Sequence, residues 1–281
     1  MPVTTEGTAP TGDGKNLTYR TVAGIVKPFL YAVGKRDWHG AENFPTSGGF
    51  IVAANHMTNL DPLTFAHFVY DNARAPRILA KASLWKIPVL RWVLDRTKMI
   101  PVHRNTVGAA SSLADAVREL QRGECVAVFP EGTLTRDPDL WPMTGKTGAA
   151  RLALTSGVPV IPVAQWGPQD ILGQYSKRLR PFPRKRVTVR AGRPVDLSDL
   201  LDRPQDTAVL REATERIMAA ITEILEEIRG EKAPAVRFDM RRKAAPDAAA
   251  PVEPVADAGD VLPEDDGSGT ASDDGAQGPA S

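Results

Sequence analysis

Val22, Ile25, Val26, Phe29 and Leu30 recur every three or four positions within Leu17–Val33, the spacing of one face of an α-helix. Arg20 and Lys27 break the stripe, Lys35 and Arg36 follow it, and Pro28 is placed to kink it. Two readings of residues 17–36 stay open: a helix packed on the domain, or an amphipathic helix lying in a membrane interface with its cations among the headgroups. Beyond it, short apolar runs alternate with helical patterns. Phe50–Ala54, bounded by Gly48-Gly49 and Asn55, predicts a buried strand, and Arg77–Ala80, Met99–Val102, Cys125–Phe129, Val158–Val163 and Arg186–Arg190 read similarly. Thr106–Arg122 predicts a helix through Val107, Ala110, Leu113, Val117 and Leu120, ended by Gly123; Gly145–Thr155 predicts another, stopped by Gly157. Asp206–Arg229 carries the clearest stripe, from Leu210 through Ile217 and Ile221 to Ile228. The alternation predicts an α/β fold, a largely parallel or mixed central sheet flanked by helices.

Composition adds a division along the chain. The 281 residues are 42% apolar and 25% charged, an ordinary globular balance with a net charge of +1. From Ala244 to Ser281, however, there are nine acids and no Lys or Arg, which leaves 35 bases against 25 acids, or +10, in residues 1–243. A basic body is suited to anions: phosphate groups, lipid headgroups or nucleic acid. The expected organisation is a flexible lead-in (1–16), the amphipathic helix (17–36), one domain (37–232) and a disordered acidic tail (233–281). The first sixteen residues lack the apolar stretch of a secretory signal, and no apolar run reaches the ~18 residues of a spanning helix. The single cysteine, Cys125, excludes an internal disulfide framework and a cysteine-cluster metal site.

Two motifs carry candidate chemistry. Asn55-His56-Met57-Thr58-Asn59-Leu60-Asp61-Pro62 directly follows the Phe50–Ala54 run. Five residues along a helix rotate a side chain by roughly 500°, so His56 and Asp61 would not share a helical face. A loop for His56, with Asp61 as N-cap and Pro62 as the first helical residue, brings them together. A histidine in reach of a hydroxyl can take its proton, and a carboxylate on the other ring nitrogen stabilises the imidazolium. Phe129-Pro130-Glu131-Gly132-Thr133 again follows a predicted strand, where open α/β sheets bind ligands, and Gly132 permits close backbone approach. Each motif alone is also compatible with a structural histidine or an ordinary turn.

In this order, and roughly 70 residues apart, the two motifs resemble the glycerophospholipid acyltransferase family, and within it the bacterial 1-acylglycerol-3-phosphate acyltransferases. The likeness covers about residues 40–195, and Ile100-Pro101-Val102-His103-Arg104 and Val158–Val163 match two further blocks. It implies an O-acyltransferase in residues 37–232 that needs no cofactor and no metal. The implied reaction moves an acyl group from acyl-CoA or acyl carrier protein to the free hydroxyl of 1-acylglycerol-3-phosphate, giving phosphatidic acid for phospholipid synthesis. His56 and Asp61 would be catalytic; Lys81, Arg104, Glu131, Gly132, Thr133 and Arg136 would bind substrate. Arg136 enters because Leu134 stands where members often carry arginine. The implied partners are the two substrates and an anionic membrane surface, not nucleic acid, at the cytoplasmic face of the cell membrane as a peripheral or monotopic protein. The alternatives are another lyso-lipid acceptor, or a non-catalytic basic module whose working part is the runs Lys177–Arg180 and Arg184–Arg186.

The remaining candidates weigh less. His67 is expected to be packed and His39 to lie at the surface; His103 either touches substrate or, as the simpler reading, sits behind the site or at the surface; Cys125 is expected to be an inert buried thiol. Lys146 and Arg151 either line the basic side of an acceptor site or are solvated helix residues, and Trp141 and Trp166 read as packing.

Overall fold

The computed structural model describes residues 14–103 and 108–240. The chain divides into two units, residues 1–243 and 244–281, the second lying outside the described residues. In the first unit, strands and helices alternate as α1 (Leu17–Val33), β1 (Gly34–His39), β2 (Phe50–Ala54), α2 (Asp61–Asn72), β3 (Arg77–Lys81), α3 (Pro88–Arg96) and β4 (Ile100–Val102). There follow α4 (Gly108–Gln121), β5 (Cys125–Val128), α5 (Gly148–Ser156), β6 (Val160–Trp166), α6 (Pro168–Ile171), β7 (Lys185–Ala191) and α7 (Thr207–Arg229).

The seven strands form one sheet in the order β1-β7-β6-β2-β5-β3-β4. Every neighbouring pair is parallel except β6–β7. The sheet is therefore mixed, with a parallel half that carries both motifs. All five residues of β2 are buried, as expected of a central strand covered on both faces. Its side chains alternate: Ile51 and Ala53 join the core under α4, α5 and α7, while Phe50, Val52 and Ala54 join the core under α1 and α2.

β1 was not anticipated. Gly34-Lys35-Arg36-Asp37-Trp38-His39 has no apolar alternation because it is an edge strand, half exposed, paired only with β7. The first helix accordingly ends at Val33, and residues 34–36, expected within it, enter the sheet. Its apolar residues also divide: Val22, Val26, Leu30 and Val33 turn toward the domain, while Leu17, Ile25 and Phe29 face outward. α3 was likewise missed. The predicted Thr106–Arg122 helix is α4, its first two positions lying outside the described residues. α5 starts three residues later than expected, because Gly145 and Lys146 are held in a loop, the latter by its N–H donating to Pro130 O at 2.9 Å. α7 is capped at both ends, by the Asp206 carboxylate on Val209 N–H and by Gly230 in the left-handed region. Past α7 the chain stays attached as far as Phe238, whose carbonyl accepts from Thr144 N–H at 3.0 Å. Among the described residues, no helix is long and apolar enough to cross a membrane.

At the end of the sheet away from the motifs, Arg77 is 2% exposed and joins three segments. Its guanidinium donates to the Glu124 carboxylate at 3.1 Å and to Thr97 O and Gly14 O at 3.2 Å each. Arg77→Ala strands these acceptors and is expected to lower the free energy of urea unfolding by about 3 kcal/mol or more.

Candidate active site

β2 and β5 are adjacent and parallel, with Ala53 opposite Val128, so their C-terminal ends deliver Asn55-His56 and Phe129-Pro130-Glu131 side by side. The loop after β2 folds back onto itself. Nδ1 of His56 donates to Asp61 Oδ2 at 3.0 Å, and the backbone N–H groups of Met57 and Thr58 donate to the same oxygen. Asp61 is not the N-cap expected from Asp-Pro. It is the first helical residue, Leu60 occupies the cap position, and the carboxylate turns backward onto the loop. That reversal shapes the turn holding the imidazole. Asp61 is fully buried, with Oδ1 accepting no hydrogen bond among the described residues. Burial raises its carboxyl pKa; the bond from His56, the imidazole charge and the two N–H donors oppose this. The ring of His56 stacks on Phe129, centroids 4.2 Å apart, which fixes the imidazole plane and leaves Nε2 as the nitrogen available to a ligand.

Glu131, expected as a substrate contact, lies behind the site. It is 1% exposed; Oε1 accepts from His56 N–H at 2.9 Å and Oε2 from Met143 N–H at 3.0 Å. The carboxylate thus pins the histidine's backbone to the loop before α5. Burial pushes its pKa up to about 8, against the pull of those two donors. Thr135 N–H closes the other side by donating to His56 O at 2.7 Å. A further brace comes from β6, where Asn55 Nδ2 donates to Gln165 O at 3.1 Å and Gln165 N–H donates to Asn55 Oδ1 at 2.9 Å.

A cavity of about 620 Å³ opens from His56. One wall is apolar, made by Tyr19, Val22 and Val26 of α1, Leu63 and Ala66 of α2, and Leu90, Val93 and Leu94 of α3. Gly132, Thr133, Leu134 and, from the end of β3, Lys81 also line it. Gly132 has φ +69°, and a Cβ there would meet the Lys146 side chain at 3.0 to 3.3 Å from Cδ to Nζ. Lys146 therefore lies across the glycine with its ammonium beside the motif. Arg136 is exposed and is not among the described residues lining this cavity; its N–H donates to Met143 Sδ at 3.1 Å. Arg104 lies outside the described residues, and His103 before it is exposed. Among the described residues, no group of three or more His, Cys, Asp or Glu is placed to hold a metal ion.

Two residues at the centre escaped the sequence reading. Phe129 was read as the end of a strand and the start of the second motif, not as the ring that stacks on His56, and Gln165 lies 110 positions from the asparagine it braces, without any local signal.

The model of the acyltransferase family matches residues 35–166, which include both motifs. Residues 35–166 thus carry an acyltransferase-family domain. It is 35% identical to the 1-acyl-sn-glycerol-3-phosphate acyltransferase of Borreliella burgdorferi, over 44% of this chain and 48% of that protein. It is 30% identical to the mouse 1-acyl-sn-glycerol-3-phosphate acyltransferase alpha, over 69% of this chain and 65% of that one. With the Bacillus subtilis enzyme of the same name the identity is 27%, over 74% and 92%. The chain spans about half or less of two of its curated relatives, 48% of the Borreliella protein and 40% of a Brassica napus one. In fold it is similar to the crystal structure of the 1-acyl-sn-glycerophosphate acyltransferase from Thermotoga maritima, with a TM-score of 0.56 and 24% identity over 76% of this chain and 81% of that one. The chain thus has an α/β fold with a mixed sheet flanked by helices.

Proposed function

We propose that this acyltransferase moves a fatty acyl group from a thioester, acyl-CoA or acyl carrier protein, to the free hydroxyl of 1-acylglycerol-3-phosphate, giving phosphatidic acid. The observation carrying this reading is the oriented His56–Asp61 pair at the junction of an apolar cavity and a cationic rim. Nε2 of His56 takes the hydroxyl proton as that oxygen attacks the thioester carbonyl carbon. Asp61, buried and hydrogen-bonded to Nδ1, stabilises the imidazolium. Collapse of the tetrahedral intermediate breaks the C–S bond, and the leaving thiolate takes the proton from Nε2. The apolar wall receives acyl chain, in a cavity of ligand size.

The phosphate is assigned to Lys81, which lines the cavity, and to Lys146, whose side chain lies beside Gly132, with Arg104 given the same task from the family resemblance. Lys146 takes the part first given to Arg136. Leu134, buried where relatives often carry arginine, favours a second reading in which the acceptor is a different lyso-lipid. The outward face of α1 supports a peripheral position on the membrane, at its cytoplasmic face where acyl-CoA is found. Leu17, Ile25 and Phe29 are exposed there among Thr21, Gly24, Pro28 and Ala32, with no charge between them.

Purified protein with labelled acyl-CoA and a panel of lyso-acceptors tests the reading by its lipid product. Labelled phosphatidic acid is expected, with Lys146→Ala raising the acceptor KM roughly tenfold and kcat changing little. A product formed only from phosphate-free acceptors, or no labelled lipid at all, would sink it.

A further inference from the structure

The basic segment between α6 and β7 takes no part in the proposed chemistry. After Ile171 the chain projects as a hairpin: Leu172 and Leu179 bridge antiparallel, and Arg180 N–H donates to Ile171 O at 2.7 Å. From Ile171 to Val187 there are six cations (Lys177, Arg178, Arg180, Arg184, Lys185, Arg186) and no acid. Interleaved with them, Tyr175, Leu179 and Phe182 are 59%, 45% and 74% exposed. Single exposed apolar side chains are ordinary; three on one projection, spaced by cations, form a patch that water disfavours.

The projection is tied to both the site and α1. Thr58 Oγ1, in the catalytic loop, donates to Leu172 O at 2.6 Å, and the Gln174 side chain donates to Thr135 O. At its other end Arg184 donates to Tyr31 O at 2.6 Å and Gly34 O at 2.8 Å, at the C-terminus of α1. Cations and aromatics therefore continue from the helix whose outward face is uncharged. Nucleic acid would satisfy the cations but leave that face, and Phe182 between Pro181 and Pro183, unmatched. A bilayer interface takes both, because aromatic rings settle at headgroup depth and each cation gains from anionic lipid.

We infer that residues 173–186 are a second docking element for an anionic bilayer surface. Tyr175, Leu179 and Phe182 enter the interface, and Lys177, Arg178 and Arg180 meet lipid phosphates. The inference rests on the membrane-surface reading of α1, not on the identity of the acceptor. The docked loop holds the catalytic turn against the source of its lipid substrate.

Flotation of the full-length protein with phosphatidylcholine vesicles, alone or mixed about equally with phosphatidylglycerol, provides the test. On the anionic vesicles the charge-reversed K177E/R178E/R180E protein is expected to partition at least roughly tenfold more weakly than wild type. Phe182→Ser, at an exposed position that leaves the core intact, is expected to lose roughly threefold to tenfold on the same vesicles. Both variants keep wild-type turnover of a short-chain acceptor dispersed in detergent. Unchanged flotation of the two variants would overturn the inference, as would lost binding to a DNA duplex with vesicle binding intact. Wild-type protein that floats but transfers no acyl group removes the proposed reaction while leaving the docking surface standing.

Discussion

His56→Ala is expected to lower kcat for acyl transfer by about 10³-fold or more, with acceptor KM little changed and the fold retained. The imidazole is half-buried against Phe129 and makes its polar side-chain contact with Asp61, so truncation removes chemistry and little packing. Asp61→Asn is the sharper companion. Oδ2 accepts from three donors, His56 Nδ1 and the N–H groups of Met57 and Thr58, and an asparagine oxygen can take the same place. The loop then keeps its shape while the imidazolium loses its counter-charge, a change worth about 10²–10⁴ in kcat where such pairs work. Single-turnover rates with saturating donor and acceptor measure both. A His56→Ala protein that retains near wild-type turnover would exclude the imidazole as the base.

Glu131→Gln should also lower kcat, by about 10- to 100-fold, while acceptor KM moves less than about threefold. Each carboxylate oxygen accepts one backbone N–H, from His56 and from Met143. Glutamine has one acceptor; its NH₂ would face the second N–H, so one of the two loops is released. A substrate contact would show the opposite split, a KM effect at nearly constant kcat. The same residue sets a pH dependence. Burial lifts its pKa from 4.5 to about 8, so between those values the unfolded chain loses a proton that the folded protein keeps. Its contribution to stability is full below 4.5 and is lost as pH rises toward 8. Urea unfolding across that range is expected to show declining stability in the wild type and a flatter profile in Glu131→Gln. A wild type equally stable at both ends would contradict the raised pKa.

How far the chain could be read before folding depended on the range of the forces involved. Central strands such as Phe50–Ala54 were legible because two-sided burial demands an unbroken apolar run. The edge strand Gly34–His39 was not, since half its residues meet solvent and no pattern is required of them. α3 escaped for a different reason: Leu90, Val93 and Leu94 face the cavity, but Val89 and Trp92 beside them are exposed, so in this nine-residue helix the apolar positions do not single out one face. In the site, the distance of five residues already called for a loop between His56 and Asp61. It did not reveal that Asp61 turns backward onto that loop, because a carboxylate at a helix start has donors available on either side.

Local pattern by itself determined the alternating α/β architecture, the long helix ending at Arg229, and the pair of motifs that end two strands. Those properties follow from short-range periodicity and capping, which neighbouring residues settle among themselves. Only the folded chain decided that β2 and β5 lie side by side, that Glu131 grips His56 from behind, and that Lys146 crosses Gly132. These contacts join positions separated by up to 75 residues, where strand order and the shared burial of two sheet faces, not sequence distance, choose the partners.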